Sequence, residues 1–547
     1  MNINKLALQR TFTALLRLTA LSCAALMLCV VPLYFDNAFF NINRCKVNLI
    51  CMTMPWICAA EAVFFIGTHA FNGTNRMEKL FPSDIAMLLF LIACTVSCAM
   101  QGFSESVLNG TSGRNLGLWL MLCLGGAYYV IAFGQIDGRL LTGAMLICAT
   151  LCAGLGVLNG AGIDPLGFYQ GIKKGQETIF FSTIGNFDFF GTYLVMLFGV
   201  SSGILLFTNR AIWRMFAWGC TIISALGMIV SRTDCAFAGM FLVCLTLSVL
   251  SGGEFTRMSR AALLWSVCFA LIPAGRAILN LSPYQPEIDG LFQILLNTHA
   301  AHVGVIVFLL LAVWFRVLDK HGVCAPNRRA IGRIALFVVF IAGVALLAVV
   351  IWFTKWDTQT DLGSLTALLR FDDMWGNARG FVYKRSFRAF HDYTWLEKLF
   401  GKGLGQTLSI LTPYCDNQAA IDYAGGVFTD AHCQPIQLLL TCGLVGMAAF
   451  LAFYVFTLFT LLKHMGRDPL LCGLFAALVG YVIVMLLNVA QPILLSTYFP
   501  LCGLAFSGND GTAKIEGIPV FVEHNLRRVH IFQCLKTIIY ANYLFKK

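Results

Sequence analysis

Charge is what this chain has least of. Asp, Glu, Lys and Arg make up 12% of its 547 residues, against roughly 25% in a soluble domain. Hydrophobic residues make up 58% and mean hydropathy is +0.77, so the composition excludes a soluble domain and fits a polytopic membrane protein. The 21 cysteines contain no C-x-x-C pair and lie mainly inside apolar runs, where they read as small apolar side chains. No two aspartates are separated by a single residue. The absence of a D-x-D motif argues against a nucleotide-sugar transferase and for a donor whose leaving group already sits in the membrane. Neither an internal repeat nor a low-complexity linker is evident, which predicts one membrane domain. The net charge of +11 would suggest nucleic acid in a soluble protein. Here the basic residues gather in short loops, so they report topology, and no nucleic-acid partner is expected.

What the chain does have is a long series of apolar runs, each about 20 residues and able to cross a hydrocarbon layer of roughly 30 Å as a helix. Before a single large polar interval they fall at 12–34, 47–67, 84–103, 116–134, 139–159, 189–208, 213–230, 235–251, 261–279, 296–315 and 331–354. After it they fall at 434–462, 469–488 and 490–507. The expected fold is all-α, a polytopic membrane helix bundle of about 12–14 transmembrane helices with one large extracytoplasmic loop. The basic start, with Lys5 and Arg10, precedes an apolar run to about Phe35 that is too long for a signal-peptide core, which predicts an uncleaved first helix.

Orientation follows from lysine and arginine in the short loops. Loops after even-numbered helices carry Arg76, Lys79, Arg139, Arg210, Arg214, Arg257, Arg260, Arg316, Lys320, Arg328, Arg329, Arg333, Lys463 and Arg467. Loops after odd-numbered helices are poorer, with Arg44, Lys46, Arg114, Lys173, Lys174 and Arg232. Even loops and both termini are therefore expected in the cytoplasm. The expected segments are N-terminal helices over 1–180, a core over 181–462 that includes the extracytoplasmic loop 355–431, C-terminal helices over 463–508 and a cytoplasmic tail over 509–547. Ile531, Leu535, Ile538, Ile539 and Tyr543, with Lys536, Lys546 and Lys547, suggest an interfacial amphipathic helix or a poorly ordered end in that tail.

The large loop, about 75 residues, far exceeds the usual connection length and reads as functional. It carries Arg379, Lys384, Arg385 and Arg388, a glycine turn at Gly401, Gly403 and Gly405, and His432 where the chain re-enters the membrane. Two other polar stretches fall on the same side, 160–188 and the tight turn Val230-Ser231-Arg232-Thr233-Asp234. Arg232, at a helix end, either reaches the interface, pairs with Asp234 or binds a diphosphate through its fork. Lys384, Arg385 and Arg388 read as a solvated helix face. His432, flanked by Asp430, Gln434 and Gln437, is either structural or a general base, since imidazole titrates near neutrality. Cys433 beside it offers no zinc-ligand spacing. Cys415 and Cys433 are close enough to the loop to pair if that face is oxidising. Glu61, within the second helix, is a functional candidate because an ionisable group there is costly. Arg276, near a helix end, is expected to snorkel.

The run Ser182–Leu194 with Asn186 and Asp188, the Ser231-Arg232 turn leading to Ala236, Arg379 ahead of Gly401-Lys402-Gly403-Leu404-Gly405, and Ala431–Gly446 opening with His432 together resemble the O-antigen ligase and polymerase superfamily. The resemblance covers about 180–460 and is topological before that. It implies an inverting, metal-independent membrane glycosyltransferase that needs no cofactor. Such an enzyme moves a glycan from an undecaprenyl diphosphate carrier to a glycan, lipid or wall-polymer acceptor. It further implies that Arg232 and Arg379 hold the diphosphate and that His432 is the base or orients the acceptor. Asn186, Asp188, Arg388 and Asp430 are supporting candidates. Two departures stand out: Cys433 replaces a common asparagine, and Asp188 the second asparagine of a G-N-x-N pattern. Ligase and polymerase stay open as alternatives. A transporter or flippase is a further reading, against which neither related halves nor a broken mid-membrane helix is evident. A structural assembly partner with a degenerate site is the third.

Overall fold

The computed structural model describes residues 2–70, 80–111, 113–134, 136, 138–288, 290–415, 429–488 and 490–507. The expected tail helix and the loop carrying Arg76 and Lys79 lie outside the described residues. Each of the fourteen apolar runs is a helix, because a backbone in hydrocarbon must satisfy its own N–H and C=O groups. Before the large loop these are α1 (Ala7–Leu33), α2 (Ile42–Ala70), α3 (Pro82–Ala99), α4 (Leu118–Phe133), α5 (Gly138–Gly160), α6 (Phe187–Phe207), α7 (Ala211–Val230), α8 (Asp234–Leu250), α9 (Phe255–Leu279), α10 (Ala300–Lys320) and α11 (Arg328–Lys355). The loop carries α12 (Trp375–His391) and α13 (Trp395–Phe400), and α14 (Gln434–His464), α15 (Pro469–Leu487) and α16 (Pro492–Leu504) follow. Eleven are long and apolar enough to cross a membrane, while α4, α8 and α16 are shorter.

Burial identifies the centre and the rim. The apolar window of α6 is 94% buried and that of α11 is 0% buried, although α11 is the more hydropathic. Side-chain size accounts for the position of α6. Gly199 and Gly203 face Ala477 and Gly473 of α15 so closely that a methyl at Gly203 would stand 2.2 Å from the Gly473 Cα. Small residues four apart let two backbones touch where apolar burial alone gives helices no preference over lipid. Among the described residues Lys46 is the one lysine buried without exposure; its ammonium donates to the carbonyls of Val31, Pro32 and Tyr34 at 2.7, 3.0 and 2.7 Å and so caps the end of α1.

The loops sort to two ends. At one, Arg260 donates to the Leu206 carbonyl at 3.0 Å, Arg328 to Gly466 at 3.1 Å, and Arg467 pairs with Glu254. This is the arginine-rich set. At the other, Asn43 reaches Gly113 at 3.1 Å, Arg232 reaches Thr178 and Glu287, and Arg114 reaches Thr429. A two-residue ribbon, β1 (Phe180–Phe181) antiparallel to β2 (Gly185–Asn186), leads into α6 there.

One expectation is overturned. The run at 434–462 is not an unbroken helix: α14 is interrupted at Gly443, whose φ is +69°. The break frees carbonyls that the glycine turn then satisfies, with Lys402 N–H donating to Leu440 at 3.1 Å and Gly403 N–H to Thr441 at 3.0 Å. Gly401 and Gly443 cross so tightly that a methyl on Gly443 would lie 2.3 Å from the Leu399 carbonyl carbon. Gly443→Ala is therefore expected to cost about 2–3 kcal/mol from strain and overpacking together. A lowered melting midpoint of the detergent-purified protein would register it. Gly219→Ala, with nothing within 4 Å, should leave the midpoint in place or raise it.

The described part of the large loop has a core of its own. Phe381, Val382 and Ala389 of α12 pack with Tyr393, Ile410, Leu411, Ala431 and Leu440, which fastens the loop to the start of α14. Lys384 and Arg388 are exposed, as expected of a solvated face, and Lys384 and the half-buried Arg385 both bind Asp373, at 2.8 and 3.1 Å.

Candidate functional site

Three segments far apart in sequence build the site at the loop-rich end. The first is the turn between α7 and α8, where the chain reverses through Ser231, Arg232 and Thr233. Arg232 adopts a left-handed backbone, φ +61°, which a bulky residue rarely takes without support. Support comes from its guanidinium, which donates to the Glu287 carbonyl at 2.8 Å and the Thr178 carbonyl at 2.7 Å and lies 5.4 Å above the Phe187 ring. Arg232 thus ties the two flanking loops to the start of α6.

The second segment is α12. Its first turn is distorted, with Gly376 at φ +59° and Ala378 at φ +66°, and this distortion aims the Arg379 side chain. Arg379 donates to the Gly376 carbonyl at 2.7 Å, and its buried Nε has no hydrogen-bond partner among the described residues. Of five N–H donors in a fixed fork, most remain available to an oxyanion.

The third is the approach to α14. His432 is again left-handed, φ +49°. Its Nε2 stands 3.3 Å from Asp430 Oδ1, and its backbone N–H donates to the same oxygen at 3.1 Å. Tyr383 of α12 donates to the His432 carbonyl at 3.2 Å. Asp430 is 3% exposed, and its other oxygen pairs with Arg114, whose Nε also donates to Thr429 Oγ1 at 3.0 Å. Burial pushes the His432 imidazole below its ordinary value near 6.5; Asp430 opposes this, while Arg379 and Arg114 add to it. A neutral ring donating from Nε2 to the carboxylate leaves Nδ1 as the open acceptor. The His432 side chain as a whole keeps 39% of its surface exposed.

Arg379 links the three. Its charge acts on His432, on Tyr383, on Cys235 of α8 and on Asp188 at the start of α6. Asp188 also feels Arg232 and Asp234 and hydrogen-bonds Thr233. Asn186 caps α6, accepting from the Asp188 N–H at 2.8 Å. Arg232, Asp188, Arg379, His432 and Asp430 therefore form one electrostatically connected group. Two candidates stand apart from it. Arg388 acts instead on Asp392 and Tyr414. Glu61 lies on α2 in reach of Cys23 and Cys58. Cys433 keeps a free, buried thiol. Among the described residues no group of three or more His, Cys, Asp or Glu could hold a metal ion.

Arg114 is the residue the sequence did not single out. It sits on the loop between α3 and α4, which doubles back so tightly that a methyl on Gly117 would lie 2.2 Å from the Leu108 carbonyl oxygen. Arg114 and Asp430 also line a cavity of about 40 Å³ with Gln434, Gln437 and Thr441, room for a water or two.

Comparison with known proteins adds one finding. The family model described as O-antigen ligase matches residues 288–451, from just before α10 to the middle of α14. The match takes in Arg379, Arg388, Asp430 and His432 but not Arg232, Asp188 or Arg114. It supports membership of the O-antigen ligase superfamily, and with it a multi-pass membrane protein of polysaccharide biosynthesis. A comparison with curated proteins returned no match.

Proposed function

We propose that this chain, as a member of the O-antigen ligase superfamily, transfers a glycan from an undecaprenyl diphosphate carrier to an acceptor hydroxyl on the outer side of a cytoplasmic membrane. The observation that carries this reading is a single guanidinium, Arg379, whose buried Nε has no hydrogen-bond partner among the described residues and whose charge acts on both the His432 imidazole and the Asp188 carboxylate. A leaving group and a nucleophile need such opposed chemistry within one site.

The step balances without a cofactor. The acceptor oxygen forms a bond to the anomeric carbon while its proton passes to His432 Nδ1. The bond from that carbon to the phosphate oxygen breaks, and its electron pair stays on the diphosphate. Attack opposite the leaving group inverts the anomeric centre. Arg379 and Arg232 are assigned to the diphosphate, where fixed cations aimed at developing charge lower the barrier. Arg379 is assigned the larger share, because the Arg232 fork already donates to two carbonyls. The polyprenyl tail needs only apolar helix faces, such as that of α11 next to the loop, which has no buried residue.

The acceptor separates ligase from polymerase. In cells lacking the protein, the ligase reading expects long glycan chains that are made but left unattached. Single repeats left on the carrier would assign the same chemistry to a polymerase. Normal chain length and attachment would remove both.

A further inference from the structure

We propose that Arg114 is a positioning residue for glycan transfer: by holding the far oxygen of Asp430 it keeps the near oxygen on His432, which fixes the imidazole with Nδ1 turned toward the acceptor. The inference rests on the reading of His432 as the base and extends it to a residue outside the segment matched by the family model.

The geometry divides the carboxylate between two tasks. Oδ2 receives the Arg114 guanidinium and the Thr429 hydroxyl, the latter at 3.4 Å. Oδ1 receives the His432 backbone N–H and faces Nε2. The neighbouring Ala431 N–H is held by Gln437 at 2.9 Å, so the short segment 430–432 cannot easily swing. A carboxylate 3% exposed would be costly to bury alone. Arg114 supplies its counter-charge from 316 residues away, on an arm braced by the Thr429 contact. The logic is that of an aspartate orienting a catalytic histidine, with a guanidinium behind it to hold the aspartate.

Arg114 also decides how much of the carboxylate's charge the imidazole feels. The charged groups facing His432 are Asp430, Arg379 and Arg114, with the Tyr383 hydroxyl at its carbonyl and Cys433 next in the chain. Removing Arg114 deletes one cation that disfavours the imidazolium and strips Asp430 of its partner. Both changes favour the protonated ring, so the midpoint of its titration must rise.

The test uses the full chain in nanodiscs, with histidines carbon-13 labelled at Cε1 and the His432 signal assigned by its absence in His432→Ala. Arg114→Gln is expected to raise the His432 midpoint on the order of one pH unit. It is further expected to shift the acid limb of the transfer rate upward by the same amount and to lower kcat about 10- to 100-fold at neutral pH, with the KM for the lipid-linked donor unchanged. Arg114→Lys, which keeps the charge without the fork, should hold the midpoint near that of the parent and recover part of kcat. If Arg114→Gln is poorly folded, Asp430→Asn provides the second arm and must lower the His432 midpoint. A midpoint that does not move in either variant overturns the proposal, whatever happens to activity. The titration needs no turnover, so a parent protein that transfers no glycan would overturn the enzyme reading and leave the Arg114 result to be judged by itself.

Discussion

His432→Ala is expected to lower glycan transfer by about 10²- to 10⁴-fold, the range for losing a positioned general base. The measurement is the initial rate in proteoliposomes at saturating acceptor. Donor binding should survive, because the proposed function assigns the diphosphate to Arg379 and Arg232, whereas the His432 ring faces Asp430. The pH dependence has a definite sign. Burial lowers the His432 pKa below 6.5, with Arg379 and Arg114 acting in the same direction. The ring is then neutral, and competent as a base, throughout the neutral range. Transfer should be flat above about pH 6.5 and fall only on the acid side of that value. An acid limb centred above pH 7 would mean that Asp430 outweighs burial and both cations, contrary to the site described here.

Arg379→Ala is the second large effect, expected to lower transfer about 10²- to 10³-fold, as for loss of one donor aimed at developing negative charge. Arg379→Lys should restore only part of it, because an ammonium cannot span two phosphate oxygens. The comparison with Arg232→Ala is informative. Arg232 donates to the Glu287 and Thr178 carbonyls, so its loss should also loosen two loops and lower the melting midpoint. Arg379 donates to a single carbonyl of its own turn, so its loss should be almost purely catalytic. Equal melting midpoints for the two variants would contradict this division.

The bundle was legible because its signal is composition: each apolar run predicted from hydropathy is a helix with ends within six residues, from α1 to α11 and from α14 to α16. Arg232, Arg379 and His432 were singled out only through an order and spacing that resemble a family, since the sequence alone left each with a structural alternative. Three features escaped it for physical reasons. Arg114 pairs with a residue 316 positions away, and a single basic residue on a short loop gives no hint of its partner. The break in α14 depends on whether Gly443 adopts a positive φ, which is decided by the glycine turn crossing it, not by the apolar run in which it sits. That break also removes one argument used against a transporter, so the enzyme reading rests on the site and not on helix continuity. The close packing of Gly199 and Gly203 on Ala477 and Gly473 could be found only in three dimensions.

The account depends most directly on bond cleavage at the carrier diphosphate. Purified full-length protein in proteoliposomes, given an undecaprenyl-diphosphate-linked glycan and an acceptor, should release one carrier diphosphate for each glycan joined to the acceptor, with the anomeric configuration inverted. Release should fall with His432→Ala and Arg379→Ala. If the lipid-linked glycan instead crosses the bilayer intact, or if the new linkage keeps the donor's configuration, the site described here does something else.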